Sequence, residues 1–167
     1  MILDDIRNGT RVFLDANVLI YGIRRSSAQC RGLLARCASG SVQGVISTVV
    51  IAEVGHRRMM EEAKSKGLVA SNPARALAQQ PELVRQLGSY AEEVRDLLGG
   101  GLAVESVLAD DFHVALELQR QFGLLTNDSL NLAVARRLNI TDIATTDRGF
   151  DPVQGFIVYK PSDLPAF

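Results

Sequence analysis

Four acidic residues offer this sequence its chemistry: Asp15, Glu53, Asp128 and Asp147. Asp15 closes the apolar run Val12-Phe13-Leu14, and Asp147 closes Ile143-Ala144-Thr145-Thr146. Both runs read as buried strands, so both acids stand at strand C-terminal ends, where open α/β sheets bind their ligands. Glu53 lies in a helix running from Val49 to His56, directly after a strand Val45-Ile46-Ser47-Thr48. Asp128 lies in a helix from about Asn127 to Leu138. Both helices would start at the edge where the two strands end. Carboxylates brought together from separate segments repel one another unless a cation neutralises them. Oxygen donors without Cys or His suit Mg²⁺ or Mn²⁺ rather than zinc. An ion so held keeps several waters, activates one as hydroxide, and neutralises a phosphodiester oxygen during in-line displacement.

Each acid also has a structural reading. Asp is favoured at helix N-caps and in turns, and at Asp15 either role competes with ligation. Asp128 follows Thr126-Asn127 at a helix start, although an Asp one step past a good cap is unnecessary for capping. Asp147 with Arg148-Gly149 also spells a turn. Glu53 sits among Val49, Val50, Ile51, Ala52 and Val54, and a charge in so apolar a run needs a partner. Asp110 and Asp111 are placed to cap the helix that follows them, and Asp142 and Asp151 read as loop acids.

The elements that must position these groups alternate along the chain. After the Asp15 strand, a new apolar run begins a helix, and Leu33, Leu34 and Cys37 mark a further one through about Ala38, with Arg31 and Arg36 outside. From Arg57 to Leu98 the chain is charged and helical in propensity, broken by Gly67, Asn72-Pro73 and Pro81 into two or three helices. Within the last of them Leu83, Leu87, Tyr90, Val94 and Leu97 or Leu98 predict one continuous apolar face, turned either to the core or to a partner. Gly99-Gly100-Gly101 stops it, and a strand over Leu102–Leu108 follows. Val114, Leu118 and Phe122 stripe the next helix, which ends at Gly123, and Phe156 to Tyr159 is the last strand. Strands alternating with helices predict a central parallel sheet covered on both faces, a three-layer α/β/α domain.

Length and composition fit one globular domain over residues 1–167, with the helical segment at about 57–101 inside it. A net charge of −1 argues against a nucleic-acid coat but leaves room for a local basic rim beside an acidic metal site. Arg24, Arg25, Arg57, Arg58 and Arg148 are the candidate phosphate contacts, each equally explicable as a solvated charge, and Tyr21 is the one aromatic near the first acid. Cys30 and Cys37 lie about 10 Å apart along a helix axis, too far for a disulfide within it, and read as reduced thiols. No secretory leader and no membrane-length apolar run appear, so a soluble, cytoplasmic protein is expected. Glu53-Val54-Gly55-His56 spells half of a di-iron motif, but the second copy is missing, and His56 beside Arg57 and Arg58 reads as the end of its helix. A metal-free mechanism using His56 and His113 has nothing to bring the two together.

The segments FLDANVLIYG, ISTVVIAEV, LLTNDSLNLAVA and IATTDRGF, in this order, resemble the motifs of PIN-domain nucleases, most of all the toxin ribonucleases of the VapBC type. The resemblance covers most of the chain, and 57–101 is its least diagnostic part. It implies that Asp15, Glu53, Asp128 and Asp147 are the catalytic and metal-binding acids, supported by Asn17 and Thr146. It further implies one or two divalent ions, cleavage of single-stranded or structured RNA, a homodimer, and a small antitoxin that blocks the site. A PIN-like binding or scaffold module without nuclease activity is the alternative. A phosphatase using Asp15 as nucleophile would want a second Asp where Asn17 stands.

Overall fold

In the computed structural model, residues 1–164 are described, so the last three positions of the expected 1–167 domain lie outside the described residues. Strand β1 spans Arg11–Leu14, and its three apolar residues are fully buried. It runs into α1 (Ala16–Ile23) and then α2 (Ala28–Ala38), where Leu33 and Cys37 turn inward as expected, Leu34 is only partly buried against the core, and Cys30 is buried as well. Strand β2 spans Gln43–Ser47, one residue shorter at its end than the sequence implied, because the Ser47 hydroxyl accepts from the Val50 N–H and caps the next helix. Gly44 is required within β2: a Cβ there would lie 2.6–2.8 Å from Leu102, Cys37 and Leu14.

Helix α3 (Thr48–Ser65) continues nine residues beyond His56, which is therefore an exposed mid-helix residue and not a helix end. Then follow α4 (Pro73–Gln79), α5 (Pro81–Val84) and α6 (Ser89–Gly99). The single apolar face expected over Leu83–Leu98 is thus divided at Gln86–Gly88. Leu83, Leu87 and Tyr90 pack in a small cluster with Ala63, Val69 and Leu77, whereas Leu97 joins the main core and Leu98 is exposed. Strand β3 covers only Ala103–Glu105, since the residues after it leave the sheet to reach α7 (Ala109–Phe122). Gly123, at φ +71°, closes α7 in the left-handed conformation. Helix α8 (Thr126–Arg137), β4 (Asp142–Ala144) and β5 (Ile157–Tyr159) complete the order. Asp142 is a strand residue rather than a loop acid, and its carboxylate accepts from the Tyr159 hydroxyl at 2.9 Å.

The five strands are all parallel, in the order β3-β2-β1-β4-β5. The chain moves outward from β1 to β3, then returns to β4 and moves outward the other way. Right-handed crossovers place the outgoing helices on one face and the returning ones on the other, giving the expected three-layer α/β/α architecture. The reversal falls between β1 and β4, the switch point at which such sheets open a crevice beyond their strand ends. Asp15 and Asp147 flank that crevice.

Candidate active site

Asp15 is extended, caps α1, and is 4 % exposed. Its Oδ1 accepts from the Ala16 N–H at 2.7 Å, and its Oδ2 accepts from the Thr145 hydroxyl at 2.9 Å and the Asn17 amide at 3.3 Å. Capping and a place in the acid cluster are therefore both true of it. Burial raises its pKa and the Glu53 charge raises it further, against the opposing pull of Thr145, Ala16 and Asn17. Glu53, one turn into α3, accepts from the Asn127 amide at 3.3 Å and faces the Arg57 guanidinium at 3.6 Å. Asp147 accepts from the Gly149 N–H at 2.7 Å, as a turn residue does, while its own N–H donates to the Thr145 hydroxyl at 3.0 Å.

Asp128 is the third residue of α8, and no side chain caps that helix at Leu125. Burial, followed by the charges of Asp15, Asp147 and Glu53, pushes its pKa up to about 7. One residue thus feels all three of the other acids. The four line a cavity of about 350 Å³ together with Asn17, Asn127, Thr126 and Leu125.

Residues 12–155 match the PIN domain family. The chain belongs to this family. Its fold is similar to that of VapBC2 from Rickettsia felis, solved bound to a promoter DNA fragment (17 % identity, TM-score 0.60, covering 90 % of this chain and 98 % of that one). It is also similar to a toxin-antitoxin complex from Klebsiella pneumoniae (17 %, 0.57, 87 % and 95 %). A third likeness is to VapC20 of Mycobacterium tuberculosis, described as a sarcin-ricin loop cleaving toxin (19 %, 0.56, 87 % and 96 %). No curated protein matches the chain in sequence.

Within this PIN domain the supporting groups differ from expectation at one position. The hydroxyl that reaches Asp15 belongs to Thr145, which is fully buried, and among the described residues Thr146 makes no side-chain hydrogen bond. Asn17 does touch Asp15. Asn127 and Arg57, which hold Glu53, had no sequence signal beyond adjacency to an acid or a helical spacing of four. Arg58 is committed to Glu93 and Glu61, while Arg24, half exposed, makes a single 3.4 Å contact with Glu61. Arg25 and Arg148 form no ion pair among the described residues. Tyr21 does not line the cavity, and neither does either histidine or cysteine. Asp111 reaches back to the Leu108 N–H at 2.8 Å, a capping role, and also pairs with Arg137 at 2.9 Å.

The residues fit a hard divalent cation. The donors are all oxygens, no lysine or arginine lines the cavity, and the mutual repulsion of Asp128 with the other three acids is what such a cation relieves. Among the described residues no three His, Cys, Asp or Glu side chains converge closely enough to grip an ion unaided.

Proposed function

We propose that this PIN domain is a metal-dependent endoribonuclease cleaving single-stranded or structured RNA, and that it is the toxin of a toxin-antitoxin pair. The observation that carries the reading is the convergence of Asp15, Glu53, Asp128 and Asp147 on one cavity at the switch point of the sheet. Bound Mg²⁺ or Mn²⁺ would supply an activated water and a counter-charge for the scissile phosphodiester. Asp15, rigidly held by three donors, and Asp128, from the facing helix, are the acids best placed to hold it, with Glu53 and Asp147 reaching it through water. Thr145 fixes both ends of the crevice, bonding the Asp15 carboxylate and the Asp147 backbone. Arg148, exposed beside Asp147, is a phosphate contact on the rim. The neighbours that are toxin-antitoxin complexes support a small antitoxin partner. For a homodimer, Phe112 and Leu116 on α7, with Leu108 just before it, offer an exposed apolar stripe. Residues 1–167 act as one PIN-like domain in the cytoplasm, and no helix among the described residues is long and apolar enough to cross a membrane.

The test is incubation of purified protein with a single-stranded RNA pool in Mn²⁺, in Mg²⁺ and in EDTA, beside Asp15→Asn. Metal-dependent cutting that vanishes in the variant is expected. Undiminished cutting by Asp15→Asn, or by the wild type in EDTA, would sink the assignment. No cutting at all, with a blank metal titration, would favour a binding module.

A further inference from the structure

Asn17 stands between two groups of opposite hydrogen-bonding character. Its Oδ1 accepts from Arg57 Nη1 at 2.5 Å, and its Nδ2 donates to Asp15 Oδ2 at 3.3 Å. A guanidinium is a donor only and a carboxylate an acceptor only, so each can satisfy just one end of an amide. Left to itself, a side-chain amide beside a carboxylate can swing away or turn its oxygen in, and a carbonyl oxygen facing Asp15 would repel it. Arg57 removes that freedom by claiming the oxygen, which leaves the NH₂ pointing at Asp15. The same guanidinium lies 3.6 Å from Glu53, so α3 carries one cation that ties the first and second acids to each other.

We infer that Arg57 is a positioning residue for the proposed nuclease, acting through Asn17 to fix the Asp15 carboxylate, and not a contact for the RNA backbone. Arg57 shares its charge between Asn17 and Glu53, and its side chain is only 38 % exposed. Both contacts are made by Nη1, so a phosphate taken through that nitrogen would displace them. The geometry is a relay of three side chains on two elements, α1 and α3, whose packing sets the distance across which Arg57 reaches. Lysine is also a pure donor, so a single ammonium can take the place of Nη1 at Asn17.

This inference rests on the nuclease reading for its effect on rate, but not for its effect on Asn17. The experiment compares wild type with Arg57→Met, Arg57→Lys, Asn17→Ala and the double variant Asn17→Ala/Arg57→Met. In metal-free ¹⁵N-labelled protein, the Asn17 side-chain amide is assigned by its loss in Asn17→Ala. Arg57→Met should shift that resonance and narrow the separation of its two protons, and Arg57→Lys should restore most of it. In Mn²⁺ with saturating RNA, Arg57→Met should lower kcat about tenfold with KM little changed, as loss of an outer-shell partner does. In the Asn17→Ala background the same substitution should lower kcat no further. An unmoved amide resonance, or effects on kcat that simply add, would overturn the relay. A rise in KM with a flatter salt dependence and unchanged kcat would overturn it in favour of a phosphate contact. Wild-type protein that cuts no RNA would overturn the nuclease reading and the rate prediction together, while the resonance would still decide whether Arg57 sets Asn17.

Discussion

Carboxylates are buried at the α3–α6 junction and at the sheet edge, and the two regions treat them in opposite ways. At the junction, Glu62 is 7 % exposed; burial pushes its pKa up, but the Lys66 ammonium at 2.7 Å and the Tyr90 and Gly88 N–H groups at 3.0 Å more than reverse this, leaving it at about 2. At the sheet edge, Asp128 meets burial and three like charges with no cation, and is left at about 7. An acid that holds a structure together is given donors on every side. Asp128 is left wanting one, unlike Asp15 beside it with its three donors, and the fold bears the cost.

Substitutions at the two regions should therefore have opposite effects on stability. Asp128→Asn should abolish cleavage, and in metal-free protein at pH 8 it should raise stability by roughly 2 kcal/mol, read by urea unfolding. The sign follows from a folded pKa raised above the unfolded value. Between about pH 4 and pH 7 the folded state holds a proton that the unfolded state has lost, so wild-type stability falls as pH rises through that window, and the variant escapes the fall. Destabilisation by Asp128→Asn at pH 8 would break the comparison.

Glu62→Gln should do the reverse, costing about 2 kcal/mol at pH 7 while leaving cleavage per folded molecule unchanged. Its depressed pKa means that the contribution is complete above about pH 4.5 and fades as pH falls towards 2, so wild type and variant should converge in acid. Adding Mn²⁺ should raise Tm more at pH 8 than at pH 6, because protons compete for Asp128 near its pKa of about 7; EDTA should erase the difference. The smallest effect is expected at the rim: Arg148→Ala should weaken RNA binding by less than about 1 kcal/mol and reduce its salt slope by about one, measured by titration of fluorescent RNA in Mg²⁺-free buffer.

The acid cluster was legible because each member sits beside a strong local signal. Val12-Phe13-Leu14 can only be buried, and an Asp at its end must answer for itself. What escaped the sequence is what depends on one-residue register or on distant backbone. Thr145 and Thr146 are adjacent hydroxyls just past a three-residue strand, and only the pairing of Thr145 N–H with the Tyr159 carbonyl decides which one turns towards Asp15. Helix α3 outran its expected end because the charged, helix-forming residues 57–65 carry no signal that joins them to the apolar run before them, whereas Arg58 and Glu62 pair with Glu93 and with the amides of Gly88 and Tyr90. Those partners lie 26 to 35 positions away, beyond the reach of any local pattern. The break in the Leu83–Leu98 face had its cue in Gly88, but the apolar spacing ran smoothly across it.

Asp15 both caps α1 and faces the other acids, and this double duty has an evolutionary side. Asparagine caps a helix as well as aspartate does, and the two are one nucleotide change apart in the genetic code. On the nuclease reading proposed above, a lineage harmed by the activity would therefore be able to silence it in a single step without spoiling the fold, and the silenced descendant, relieved of a buried charge, should persist as a well-folded, inert copy.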